Sequence, residues 1–387
     1  MLSKVSARMT DTFSRAFGGG IASQSAHDAS TASRVTLKSG EIPGIDGLRA
    51  IAVSFVMLGH YGLGKYIPGG FGVTLFFFIS GFLITVLMLR EHAASGKIAI
   101  GRFYMRRLLR LQPELLAFLV LSVAIGVWIS ITNLPSWLDV AGAGLYVSNY
   151  VYLSHSTTMR WPHLWSLAVE EHFYLMYPLV FSFLMPRGTS LLRVLAALCV
   201  ASLIWRCGLL WMHAPDHWTY VATDARLDSI AYGCLTALIL WRTEESVPVS
   251  DRWPAALIGV GFAFLLVGFA VRGEFFRESF RYSVQGVGVA LFIAGALSPA
   301  GRKWTAILQL PAMQWLGRMS YAAYLWHLEP LRLAKQIFGV SEISGVGPTV
   351  AMIVVGFAFT YAIAAASNRF VYQSFLPLRR RFGSHAG

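Results

Sequence analysis

The chain has 387 residues, of which 56% are hydrophobic and only 13% are charged, whereas soluble domains carry about 25% charged residues. This composition excludes an ordinary soluble domain, whose surface needs charges of both signs. The 32 Lys and Arg residues outnumber the 19 Asp and Glu residues, and they lie in short runs between apolar segments of about 20 residues, the length that a membrane-spanning helix needs. The excess positive charge therefore indicates a membrane rather than a nucleic acid as the partner.

The first part of the chain, residues 1–42, is rich in Ser, Ala, Thr and Gly and contains no apolar run. We predict a disordered, basic cytoplasmic tail here. A secretory signal peptide would need an apolar core of about 7 to 15 residues followed by a cleavage site, and neither is present. Residues 43–373 are predicted to form one membrane domain, and residues 374–387 a basic cytoplasmic tail.

The membrane domain is predicted to be all-α and polytopic, with about ten transmembrane helices. The apolar segments are 45–64, 71–90, 110–131, 163–185, 191–212, 226–241, 254–271, 283–299, 313–336 and 347–371. Lys and Arg concentrate in alternate connections, which predicts an integral protein of the plasma (inner) membrane with both termini cytoplasmic. Cys199, Cys207 and Cys234 lie in apolar segments without metal-ligand spacing, so we expect core residues and no metal site.

Two ionisable residues lie in the first apolar segment, where burying a charge costs several kcal/mol. Arg49 and His60 are 11 residues apart, so on a helix they are separated by about 16 Å along the axis and lie on nearly the same face. One helix would then carry a permanent cation near the cytoplasmic surface and a titratable base deeper in the membrane. Taken alone, Arg49 is equally well explained as a topology anchor and His60 as a hydrogen-bonded core histidine.

Five motifs follow one another along the chain. The first is Asp46-Gly47-Leu48-Arg49 with His60 following, and the second is the apolar run Gly70–Ile84. The others are Arg106–Pro113, His163–Tyr174, and the pair Thr223–Gly233 and Gly317–His327. Together they span about residues 42–372 and resemble the motifs of the integral membrane acyltransferase 3 family. Two positions depart from the family pattern, namely His172 after the paired glutamates and Gln373-Ser374 near the last segment.

The resemblance implies an enzyme that moves an acyl group, by default acetyl, from acyl-CoA to a hydroxyl of an envelope or secreted carbohydrate such as lipopolysaccharide or exopolysaccharide. A base must take the hydroxyl proton, and we assign this role to His60. We expect direct transfer, because no Ser-His or Cys-His pair is legible. Coenzyme A carries phosphates that favour arginine. The predicted donor-binding residues are Arg49, Arg106, Arg107 and Arg110.

Further residues receive roles from the same resemblance. Glu170 and Glu171 join Arg49 and His60 as catalytic candidates that could orient the base, bind acceptor hydroxyls or pair with an arginine, although carboxylates also favour helix starts. Trp165, Tyr324 and His327 are assigned to substrate binding, while His327 equally suits a helix-packing role. Arg226 and Asp228 could contact the acceptor, but a local surface pair is favoured.

Two other functions fit parts of the pattern. A transporter or flippase of a glycan or glycolipid would also need buried ionisable residues, but no Gly- or Pro-broken helices recur in two halves of the chain. A sensor or scaffold function does not explain why the chain bears the free-energy cost of placing Arg49 and His60 in a membrane segment. Some acyltransferase 3 members carry a second, secreted domain, whereas 15 residues follow residue 372 here. We therefore expect any transfer of the acyl group to occur within the membrane domain or through a separate protein. The identity of the acceptor is not encoded in these motifs.

Overall fold

The computed structural model describes residues 37–38, 40–128, 134–155, 159–187, 190–215, 217–243, 253–298, 301, 303–340, 343 and 345–383. Almost all of the predicted N-terminal tail lies outside these residues. Within them the chain is helical and contains no strand, which confirms the all-α prediction. The α-helices are α1 (Ile45–Leu58), α2 (Gly69–Ser95), α3 (Ile100–Trp128), α4 (Trp137–Gly144), α5 (Ser148–His155), α6 (Trp165–Leu184), α7 (Ser190–Trp211), α8 (Trp218–Val221), α9 (Thr223–Thr243), α10 (Trp253–Ala270), α11 (Glu274–Glu278), α12 (Phe280–Ala296), α13 (Pro311–Arg318), α14 (Ser320–Trp326), α15 (Leu328–Phe338), α16 (Val346–Ser367) and α17 (Gln373–Arg380).

Five helical stretches are each long and apolar enough to cross a membrane. They are α2, α3, α7, α10 and the continuous stretch Val346–Arg380, which includes α16 and α17. These helices support an integral membrane protein. The other predicted segments form helices that are shorter or more polar, so the count of ten spans stays a prediction.

The first predicted segment ends in a tight π turn. α1 begins after Gly44, whose φ of 82° is left-handed, and it continues into a single π-helical turn over Gly59–Leu63. Gly62 within that turn has φ 104°, which an L side chain rarely adopts. The turn places the His60 side chain at an exposed position and the Tyr61 side chain in the core, although the two residues are adjacent in the sequence.

The ninth predicted segment, residues 313–336, is not one helix. It divides into α13, α14 and α15, with breaks at Met319 and His327. Pro330 has no N–H to donate to the carbonyl of Trp326, which favours a break just before it. The carbonyl of His327 accepts a hydrogen bond of 2.7 Å from the Tyr61 hydroxyl. This hydrogen bond ties the break at His327 to the π turn after α1.

The most buried membrane-spanning helix, α2, packs against α1 on one side and α9 on the other through glycines. A β-carbon built at Gly81 would lie 2.0 Å from the Ile230 carbonyl oxygen, and one at Gly233 would lie 2.0 Å from the Phe78 carbonyl oxygen. Small residues allow this close backbone approach between helices in a membrane. The α2–α9 contact thus depends on glycine at both positions.

Replacing Gly233 with alanine is expected to destabilise the protein by about 1–3 kcal/mol, because the added methyl group forces two backbones apart. Gly101 on α3 is the matched control, since a β-carbon there meets nothing within 4 Å; alanine also favours a helix over glycine by about 1 kcal/mol. Thermal unfolding in detergent should give a lower Tm for Gly233→Ala and an unchanged or higher Tm for Gly101→Ala. Equal melting temperatures would contradict the packing account.

The predicted surface pair of Arg226 and Asp228 is wrong, because both side chains are fully buried. Asp228 pairs instead with Arg206 of α7 at 2.7 Å, and Arg226 donates to the Thr74 hydroxyl at 3.0 Å. Residues two apart on a helix do not face each other, so each finds its partner on another element. These contacts link α7, α9 and α2 inside the bundle.

Candidate active site

A cavity of about 1440 Å³ lies between α1, α2, α3, α6, α13, α14 and α17. Its wall carries more positive than negative side chains. The lining arginines are Arg49, Arg90, Arg107, Arg110, Arg318, Arg379 and Arg380, and the lining carboxylates are Glu41, Asp46, Glu114 and Glu170. A cavity with this charge excess favours a ligand that carries several negative charges.

Three of the four predicted donor-binding arginines line this cavity. Arg49 is half-buried and forms an ion pair of 3.4 Å with Asp46. The Arg107 guanidinium lies 3.2 Å from the centre of the Tyr174 ring. Arg110 has no carboxylate oxygen within 4.0 Å among the described residues, and it experiences repulsion from Arg49, Arg379 and Arg107. An anion bound between these guanidinium groups would relieve that repulsion.

The fourth predicted arginine, Arg106, lies outside the cavity lining. Its guanidinium forms an ion pair of 3.0 Å with Glu91 of α2 and donates a hydrogen bond of 3.0 Å to the Phe382 carbonyl oxygen. Arg106 therefore ties α3 to α2 and to the segment after α17. Neighbouring arginines on one helix point to different sides of it, which separates Arg106 from Arg107.

The paired glutamates also separate. Glu170 lines the cavity, where it accepts hydrogen bonds from the Ser80 hydroxyl at 3.0 Å and the Tyr174 hydroxyl at 3.3 Å. Glu171 is outside the lining, and its carboxylate lies 3.9 Å from Nε of Arg107. Glu170 is thus the glutamate whose carboxylate reaches the cavity.

Two hydroxyl groups lie together in the buried part of the cavity wall. The Tyr324 and Ser166 hydroxyl oxygens are 2.6 Å apart, and the Tyr324 hydroxyl donates to the His163 carbonyl oxygen at 2.8 Å. Both side chains are buried and both line the cavity. The Tyr324 ring is 5.5 Å from the ring of His327, so the cavity wall adjoins a group of histidines.

Three histidines cluster behind Tyr324, although none of them lines the cavity. The ring of His327 is 5.0 Å from that of His60 and 5.2 Å from that of His163. His327 and His163 are buried, whereas His60 is exposed. His60, the predicted base, is thus the exposed member of a row of neighbouring side chains that begins at the cavity with Tyr324 and continues through His327.

Hydrogen bonds to carbonyl groups define which ring nitrogens carry hydrogen in the neutral histidines. Nδ1 of His60 lies 2.9 Å from the Val56 carbonyl oxygen and 3.3 Å from Nε2 of His327. Nδ1 of His327 lies 2.6 Å from the Tyr324 carbonyl oxygen. A carbonyl oxygen only accepts, so both Nδ1 atoms are the donors. Nε2 of His60 is then unprotonated and able to take a proton.

Comparison with known proteins identifies the domain that carries this cavity. The family model described as "Acyltransferase domain" matches residues 42–369. The chain belongs to the acyltransferase 3 family. This confirms the resemblance drawn from the five motifs, and the matched residues include the cavity-lining parts of α1, α2, α3, α6 and α14.

Relatives with curated names agree with the family. The chain is 31% identical over 360 residues to "O-acetyltransferase OatA" of Staphylococcus aureus, which covers 88% of this chain and 57% of that protein. It is 28% identical over 359 residues to "Peptidoglycan O-acetyltransferase OatA" of Listeria monocytogenes, with coverage of 88% and 56%. The chain therefore spans about half the length of these relatives. No solved structure matches it.

Two motif residues of the acyltransferase 3 domain lie away from the cavity lining. Trp165 is buried, with its ring 5.9 Å from that of Phe77 and 4.9 Å from that of Tyr220. His172, which replaces the family's usual Gln, has Nδ1 2.7 Å from the Thr223 hydroxyl and thereby links α6 to α9. Both residues contact other helices instead of the cavity.

A buried ion network that none of the sequence motifs indicates lies beside the histidines. Glu329 accepts from Arg160 at 2.9 Å and from Arg332 at 2.6 Å, and Arg332 also donates to the Arg160 carbonyl oxygen. Arg160 is 1% exposed and Glu329 is 5% exposed. The signal available in the sequence was Arg160, the one basic residue of the predicted connection 132–162. Among the described residues, no group of His, Cys, Asp and Glu is arranged to hold a metal ion.

Proposed function

We propose that this chain is a membrane O-acyltransferase that moves an acyl group, by default acetyl, from acyl-CoA to a hydroxyl of an envelope or secreted carbohydrate. The observation that carries the proposal is the arginine-rich cavity, whose buried wall reaches Tyr324 and, behind it, the His327–His60 pair. The acyltransferase 3 membership supports the reaction class.

The donor half of the proposal rests on charge. Coenzyme A carries a pyrophosphate and a 3′-phosphate, and guanidinium groups bind such oxygens with paired hydrogen bonds. Arg49, Arg107 and Arg110 come from two helices and converge on one cavity. In the proposed orientation the cavity opens to the cytoplasm, where basic residues concentrate, and the thioester points toward Ser166 and Tyr324.

The acceptor half rests on the unprotonated Nε2 of His60. In the proposed step the thioester reaches beyond Tyr324 to the His327–His60 pair, and Nε2 of His60 takes the proton of the acceptor hydroxyl while the oxygen attacks the thioester carbonyl carbon. The tetrahedral intermediate then collapses, the C–S bond breaks, and the leaving CoA sulfur receives the proton that His60 had taken. The Val56 carbonyl oxygen, which accepts from Nδ1 of His60, holds the ring in the tautomer that this step needs.

The names of these relatives suggest the acceptor class. One is a peptidoglycan O-acetyltransferase, and both are O-acetyltransferases. We therefore propose acetyl as the acyl group and a cell-envelope glycan as the acceptor, with lipopolysaccharide and exopolysaccharide as the further members of that class to test. The protein would work in the plasma membrane with both ends of the described domain on the cytoplasmic side.

Replacing Arg110 with glutamine tests the donor site. A hydrogen bond to a charged group contributes about 1.5–3 kcal/mol, so the Kd of the purified protein in nanodiscs for CoA should rise by about tenfold or more. Arg102→Gln is the matched control, because Arg102 is an exposed arginine on the same helix outside the cavity lining. Isothermal titration calorimetry would measure both affinities.

Release of free CoA from acetyl-CoA, with and without an envelope-glycan extract, tests the reaction itself. Acceptor-stimulated release with transfer of labelled acetyl to the glycan is the expected result. Binding without any transfer, combined with movement of a glycolipid across proteoliposomes, would contradict the proposal and favour a transporter. Equal CoA affinities of the Arg110 and Arg102 variants would contradict the assigned donor site.

A further inference from the structure

The helix α17 adds two basic side chains to the cavity wall. Arg379 and Arg380 both line the cavity, as do Arg49 of α1 and Arg110 of α3. α17 packs against α3, and the carbonyl of Phe382 just beyond it accepts the hydrogen bond from Arg106. Residues 374–383 of the predicted tail thus form a wall of the cavity, with Arg106 securing their end to α3.

The two arginines of α17 differ in their surroundings. Arg379 is buried and donates a hydrogen bond of 2.6 Å to the Tyr372 hydroxyl. Arg380 is exposed, and within the described ranges no carboxylate oxygen lies within 4.0 Å of its guanidinium. Arg380 therefore presents an uncompensated positive charge at the mouth of the cavity.

The exposed and the buried parts of the cavity lining define a direction for the donor. Arg318 and Arg380 are exposed, whereas Ser166 and Tyr324 of the same lining are buried. A donor that enters with its thioester first leaves its nucleotide at the mouth. The 3′-phosphate lies on that nucleotide, far from the thioester, and it is the group that an arginine at the mouth would meet.

We propose that Arg380 binds the 3′-phosphate of the donor nucleotide and lets the protein distinguish CoA from donors that lack this phosphate. The inference rests on the proposed function, because it names a residue for the donor of that reaction. An arginine is suited to the task, since its planar guanidinium matches two phosphate oxygens. Arg380 would thus add specificity, while Arg49, Arg107 and Arg110 hold the pyrophosphate nearer the thioester.

The test compares CoA with 3′-dephospho-CoA as ligands of the purified full chain in nanodiscs. Wild type is expected to bind CoA about tenfold more tightly, the effect of one charge-assisted hydrogen bond at an exposed site. Arg380→Gln should bind the two ligands equally, with its affinity for 3′-dephospho-CoA unchanged. Arg381→Gln is the control for net charge, because this exposed neighbour lies outside the cavity lining, and it should keep the wild-type ratio.

Other outcomes separate the two proposals. Three results would each overturn the role of Arg380: equal binding of both ligands by wild type, an unchanged affinity ratio in Arg380→Gln, or an equal loss of affinity for both ligands in Arg380→Gln. In all three cases, CoA binding by wild type would leave the acyltransferase proposal standing. Wild type binding neither ligand would overturn the proposed function together with the inference that rests on it.

Discussion

Replacement of His60 by alanine is expected to lower acceptor-stimulated CoA release by about 10²–10⁴-fold, the contribution of a positioned general base. The reason is that Nδ1 of His60 is held by the Val56 carbonyl oxygen, which leaves Nε2 as the proton acceptor. CoA affinity should stay unchanged, because His60 lies outside the cavity lining. Single-turnover assays in nanodiscs, with binding measured separately, would distinguish the two effects.

The control for this experiment is His92→Ala. His92 is a partly exposed histidine on α2 that also lies outside the cavity lining, so its loss should change neither transfer nor binding. Added imidazole is expected to restore part of the activity of His60→Ala but not to stimulate wild type. Full activity in His60→Ala would remove the histidine from the mechanism and direct attention to Glu170 as the base.

Replacement of Glu329 by glutamine is expected to cost about 3–5 kcal/mol of stability, because it leaves two guanidinium groups without their shared carboxylate. Arg160 and Arg332 both bond to Glu329, and Arg160 is almost completely buried. Glutamine has nearly the same size as glutamate, so the loss of stability measures the effect of removing the charge and not of changing the side-chain volume. The Tm of the detergent-solubilised protein should fall well below that of wild type.

Glu274→Gln serves as the comparison for that measurement. Glu274 is an exposed carboxylate on the short helix α11, and surface substitutions of this kind change stability by about 0.5 kcal/mol or less. If the Tm of Glu329→Gln equals that of Glu274→Gln, the ion network contributes no net stability. Activity should also fall in Glu329→Gln, since α15 begins directly after His327.

The Arg49–His60 spacing and the later motifs involve residues that are near one another in the sequence. Such patterns can be recognised before the fold is known. The spacing of apolar segments indicated a helical membrane protein because hydropathy and segment length depend on neighbouring residues alone. Motifs such as Asp46–Arg49 identified the family for the same reason. The ten-span count stays a prediction, whereas the segment 313–336 departs from the single helix that its hydropathy indicates. Its break at His327 lies just before Pro330 and accepts a hydrogen bond from Tyr61, far away in sequence.

The choice between similar residues lay beyond the sequence. Arg106 and Arg107 are adjacent and have the same chemistry, yet one binds Glu91 and the other lines the cavity. The same holds for Glu170 and Glu171. A helix turns by about 100° per residue, so which neighbour faces the cavity depends on how that helix is rotated in the bundle, and packing against other helices determines the rotation.

By itself, then, the sequence determined the membrane setting, the helical class and the family, because each depends on composition or on short-range spacing. Only the tertiary structure decided that α17 brings Arg380 to the arginine-rich cavity, that Asp228 pairs with Arg206, and that His327 stands between Tyr324 and His60. These contacts join residues far apart in the chain. Their partners are selected by helix packing and by the need to satisfy buried polar groups, which no local pattern encodes.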